Sequence, residues 1–148
     1  MEPASPKAVD CETLLKSLIF MANGVAATIG DNGARATMRL AGHRAAVSLL
    51  EALPLEFEVK EAIQRVGPVM TELGFVSDLA FDNETRITVS GNAIVIMLRQ
   101  LGLEQQRHPA CYYTVGLFEG FVQVLSKTRV SIVRREFKDE MEIWTLME

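Results

Sequence analysis

The chain has 148 residues, 49% of them apolar and 23% charged, which is enough apolar material for one domain with its own core. That balance excludes a disordered or collagen-like chain. A net charge of −4, with no basic stripe carrying interleaved aromatics, argues against non-specific nucleic-acid binding.

Residues 1–10 read as a flexible N-terminus and 11–148 as a single domain. Met1-Glu2-Pro3-Ala4-Ser5-Pro6 lacks the basic start and apolar stretch of a signal peptide, so a cytoplasmic protein is expected. No apolar run approaches the ~18 residues of a membrane span. Asp10 or Thr13 can cap a first helix whose apolar ladder is Leu14, Leu15, Leu18, Ile19, Ala22, Val25, Ala26 and Ile29. Gly30-Asp31-Asn32-Gly33 reads as a turn. Residues 34–40 fit no single pattern, and a second helix is expected over about 41–52, stopped by Pro54.

Leu55, Val59, Ala62, Ile63, Val66, Met70 and Leu73 form the clearest helical stripe, with a kink or break expected at Gly67-Pro68 and a stop at Gly74. Strands are expected over 75–81 and 85–90, where Ile87 and Val89 alternate with polar residues. Residues 92–101 fit either a short buried helix or a prolonged strand. Pro109 opens a helix to about Ser126, and 129–137 with 140–146 close the chain as a hairpin. The apolar face of that hairpin is read as Val130, Ile132, Met141, Ile143 and Thr145. The element order predicts an α+β fold, a helical layer packed on a four-stranded antiparallel sheet.

Few residues suggest chemistry. His108 and Cys111 are the only adjacent metal-competent pair, and a four-ligand zinc site would need Cys11 and His43 from distant segments. A loop histidine and a buried thiol is the simpler reading. His43 and Arg44 lack a nucleophile and orienting acid at any recognisable spacing. Gly30-x-x-Gly33 has neither the strand nor the Lys of a phosphate loop. Glu56, Glu58 and Glu61 flank a helix start, where acids favour the helix dipole. No catalytic residue, cofactor or metal is therefore assigned. Met21, Met38, Met70 and Met97 lie in or beside apolar stretches and suit a core or an adaptable apolar cavity.

The segment Cys111-Tyr112-Tyr113-Thr114-Val115-Gly116-Leu117-Phe118-Glu119-Gly120-Phe121 resembles the start of the last helix in vinyl-reductase-type domains. These are also called hydrocarbon-binding domains and are related in fold to TRAPP trafficking subunits. Residues 39–44 resemble that family's helix entry, and 130–136 with 142–147 its closing hairpin, so the similarity covers about residues 35–148. Family members often hold zinc with a Cys before the last helix and two in the hairpin. Here only Cys111 matches, and the hairpin has neither Cys nor His, so no metal is carried over. The resemblance implies a homodimer formed by the N-terminal helices, with an apolar pocket for a hydrophobic small molecule between helices and sheet. Met38, Met70, Tyr112, Phe118 and Phe121 are the candidate ligand-binding residues. The implied role is binding or sensing rather than catalysis. A structural adaptor subunit is the alternative. A reductase, which would need an outside electron donor, comes third.

Overall fold

The computed structural model describes residues 8–50, 56–82 and 84–148. Asp10 opens helix α1 (Cys11–Ile29) by accepting the Thr13 backbone N–H at 2.7 Å. Gly30 then separates it from α2 (Asp31–Leu49) with one residue at φ 88°, a left-handed conformation open to glycine. Its N–H donates to the Ala26 carbonyl and its own carbonyl accepts from Ala34, so one glycine ends the first helix and starts the second. The expected four-residue turn thus shrinks to Gly30, and α2 begins at Asp31 rather than near 41. The signal for this start is weak in hydropathy because the buried row of α2 is Ala34, Met38, Gly42 and Ala46, mostly small residues at a spacing of four.

Helix α3 (Val59–Glu72) buries Ala62, Ile63, Val66, Gly67 and Met70, as its stripe predicts; Leu55 lies outside the described residues. No break occurs at Pro68. Both Pro68 and Gln64, whose carbonyl loses its partner, are exposed, so water can serve that carbonyl and the helix continues. Gly74, at φ 85°, stops it as expected. Strands β1 (Asp78–Phe81) and β2 (Arg86–Ser90) follow, β1 shorter than the 75–81 expected because Phe75 still bonds back to Met70 of the preceding helix. The ambiguous stretch is a helix, α4 (Ala93–Gln100), capped by the Asn92 side chain, which accepts from the Ile94 N–H.

Helix α5 (Cys111–Ser126) is the centre of the molecule, buried on nearly every side. Strands β3 (Ser131–Lys138) and β4 (Met141–Met147) complete an antiparallel sheet in the order β1-β2-β4-β3. Asp139 and Glu140, both at positive φ, make the tight turn between them. The fold class is α+β, as predicted.

The hairpin face needs correction. On β4 the buried residues are Glu142, Trp144 and Leu146, whereas Met141 is exposed and Ile143 and Thr145 are only half-buried. A one-residue change of phase exchanges the two faces of a strand, and the bulkier Trp144 and Leu146 take the inner one. Val130 and Ile132 are buried as expected and Val133 is exposed by alternation; a register shift between Ile132 and Arg134 then sets Arg135 and Phe137 opposite Trp144 and Glu142.

The core has two parts. Trp144, Phe118, Phe121, Met70, Ile63, Ile87 and Val89 fill the space between α3, α5 and the sheet, with Phe118 and Trp144 edge-to-face at 5.6 Å. Ile19, Ala22, Met38, Ile94, Leu98 and Cys111 fill a second cluster under α1 and α4. Helices α2 and α5 join the two by direct backbone contact. A Cβ on Gly42 would overlap the Tyr113 carbonyl oxygen, one on Gly116 the Arg39 carbonyl oxygen, and one on Gly120 would lie 2.7 Å from Ala46 Cβ. Gly42→Ala or Gly116→Ala is therefore expected to cost about 1–3 kcal/mol or more in urea unfolding through overpacking. Gly24→Ala in α1, with nothing within 4 Å of its added methyl, is expected to gain roughly 0.5–1 kcal/mol of helix propensity. Equal effects at the two kinds of position would refute the backbone contact.

Candidate functional site

Because α2 and α5 touch so closely, residues four apart on each helix face one another. Arg39 Nε donates to Glu119 Oε1 at 2.7 Å, and Arg39 Nη2 pairs with Glu119 Oε2. One turn further on, His43 Nε2 donates to Gln123 Oε1 at 2.9 Å. The same ion pair reaches the sheet. The Ile132 N–H donates to Glu119 Oε2 at 2.8 Å, and the Ile132 carbonyl accepts from Arg39 Nη2 at 2.9 Å. Strand β3 is a sheet edge, so the carboxylate and guanidinium satisfy backbone groups that a further strand would otherwise meet.

These residues border an open groove of about 760 Å3 between α2, α5 and the start of β3. Leu40, Val130 and Val133 give it apolar walls, and Arg129 and Ser131 lie at its sheet side. Glu119 is its one lining acid, and it is already engaged with Arg39 and Ile132. Arg129 has no ion-pair partner among the described residues.

A second buried charge pair lies near the N-terminal end of α5. Arg135 pairs with Glu142, both side chains under a tenth exposed, and Asn92 Nδ2 donates to Glu142 Oε2 at 2.7 Å. The Arg135 guanidinium lies 5.1 Å from the centre of the Tyr112 ring and donates to the Gln106 carbonyl. Cys111 is beside it, buried, with its thiol donating to the Gln105 carbonyl and its pKa pushed up to about 12 by burial. It is a packed thiol rather than a nucleophile. His108 sits between α1 and α5. Its Nε2 donates to Asn23 Oδ1 at 2.7 Å and its Nδ1 accepts from the Ala110 N–H at 3.1 Å, which fixes a neutral ring. Among the described residues no three His, Cys, Asp or Glu side chains gather as metal ligands do.

The five sequence-predicted residues are not brought together. Met70, Phe118 and Phe121 belong to the sheet-side core, essentially without exposure. Met38 belongs to the other cluster, and Tyr112 packs half-buried at its edge. None of the five lines the groove. Sequence reading missed Arg39, Glu119 and Gln123, although one signal was present: Glu119 is the only charged residue in the whole of α5. A lone acid in a helix buried all round needs a buried partner.

No protein-family model matches the chain, and no curated protein matches it.

Two outcomes follow from the buried groups. Glu142→Ala leaves Arg135 charged and unpaired, and should cost about 3–5 kcal/mol in chemical denaturation; adding Arg135→Met should recover most of that loss. A double variant as unstable as the single one would exclude an uncompensated charge as the cause. His108 is held below its ordinary pKa of 6.5 by burial, against the opposing pull of Glu104 and Asp31. The unfolded chain therefore binds that proton more readily, so the His108 contribution is complete above about pH 6.5 and declines as pH falls below it. The thermal midpoint should drop between pH 7.5 and pH 5.5, and drop less in His108→Gln.

Proposed function

We infer that the chain is a non-catalytic interaction subunit that works as a homodimer through α1 and α2. The observation that carries this reading is the distribution of exposed apolar side chains. Thirteen large apolar residues are exposed among those described, and seven of them are on α1 and α2: Leu14, Phe20, Met21, Ile29, Leu40, Val47 and Leu49. Leu40 belongs to the groove, and the other six are spread along the two helices. Residues 17–29 contain no charged side chain at all. A second copy would cover these side chains, and a two-fold axis pairs the uncharged 17–29 stretch with itself without any need for charge complementarity.

Two further features favour contact over hydrocarbon binding in the interior. The space between α5 and the sheet is occupied by Trp144, Phe118, Phe121 and Met70, each at most 1% exposed. Among the described residues the buried charged groups are engaged with one another, Arg39 with Glu119 and Arg135 with Glu142, which favours a structural role for them. The proposed kinship with vinyl-reductase-type and TRAPP subunits agrees with association through helices.

The middle of the α1 stripe is a poor place to test association. Ile19 and Ala22 are buried, and Leu18 packs against the chain's own second cluster. Phe20 and Met21, both more than half exposed, are the informative positions. Sedimentation should give twice the 16.4 kDa chain mass at micromolar concentration, and Phe20→Glu with Met21→Glu should give the single mass with unchanged helical circular dichroism. A native chain that sediments as a monomer refutes the reading.

A further inference from the structure

We propose that the groove between α2, α5 and β3 is a binding site for an amphipathic monoanion, a small carboxylate with an apolar body. Its volume of about 760 Å3 is within the range of small-molecule sites. Its charge is set by Arg39 and Arg129 against Glu119 alone, a local net of +1 on a chain whose overall charge is −4. The two arginines differ in what they can offer a ligand. Arg39 is tied to Glu119 and to the Ile132 carbonyl, which makes it part of the wall. Arg129 is exposed and has no ion-pair partner among the described residues, so its guanidinium can take a carboxylate in the paired geometry those groups favour.

The apolar part of the ligand has its own surface. Leu40 and Val133 are each about half exposed, 52% and 53%, and both line the groove. Val133 faces outward by alternation from the buried Ile132. An extended peptide fits less well. Adding a strand at this edge requires the backbone N–H and carbonyl of Ile132, and Glu119 and Arg39 already hold both. A compact ligand that needs only the side-chain walls and one cation has no such conflict.

The test is a titration of the full chain, followed by backbone amide NMR, with octanoate, octyltrimethylammonium and acetate, each below its micelle concentration. Octanoate should give saturable shifts at residues 39–43 and 129–133. Octyltrimethylammonium, the same tail with the opposite charge, should bind at least about tenfold more weakly, and acetate should not saturate. Arg129→Glu, an exposed change expected to leave the thermal midpoint unaltered, should weaken octanoate at least about tenfold. The proposal is overturned if octanoate gives no saturable shifts at these residues or if the cationic tail binds as well. It is equally overturned if Arg129→Glu binds octanoate like the native chain.

Discussion

The contact between α2 and α5 is the constraint on which the other features depend. Gly42, Gly116 and Gly120 remove the side chains that would hold two helices apart, so carbonyl oxygens of one helix lie against the backbone of the other. Ridge-and-groove packing with ordinary side chains would separate the axes further and leave Arg39 short of Glu119. At this close approach the ion pair, the His43–Gln123 bond and the two bonds to Ile132 form together. The glycines cost helix propensity, and the contact area they open compensates for it.

The two buried ion pairs extend that constraint to the sheet, each in a different way. Glu119 accepts from a helix and from a strand edge, so it fixes where β3 sits against α2 and α5. Glu142 accepts from Arg135 on the neighbouring strand and from Asn92, the residue that also caps α4. Burying charge is costly, and each carboxylate offsets the cost with donors from two or more elements. Neither pair is a reservoir of acid–base chemistry. The Arg39–Glu119 pair, through its bonds to Ile132, holds β3 beside α2 and so sets Leu40 and Val133 around one groove.

Helices with large apolar ladders were readable from the residues, and so was the α+β order of elements. The stripe of α3 and the Ile87–Val89 alternation belong to strong periodic signals. Less was legible where burial is achieved by small or polar residues. The row Ala34, Met38, Gly42, Ala46 carries little hydropathy, which hid the first part of α2. Glu142 on the inner face of β4 made Met141, Ile143 and Thr145 look like the apolar set. The register shift at Val133 similarly disturbs the period of two in β3. For the groove, each residue was visible singly, but the juxtaposition was not. Arg39 and Glu119 are 80 residues apart, and only their partnership gives either a role.

That separation has a consequence for how the protein is made. The row Ala34, Met38, Gly42 and Ala46 emerges from the ribosome long before α5 exists to cover it. At roughly 5–20 residues per second, 80 residues take about 4–16 s, a long interval beside the microseconds in which a helix forms. During that time α1 and α2 can form a local hairpin across Gly30, with Met38 clustered with Ile19 and Ala22, while Gly42 and Ala46 wait for α5. A small-residue row presents little greasy surface while it waits, far less than leucines in the same positions would. The composition that permits the tight final contact thus also keeps this side of α2 from adding much to the apolar surface of the half-made chain.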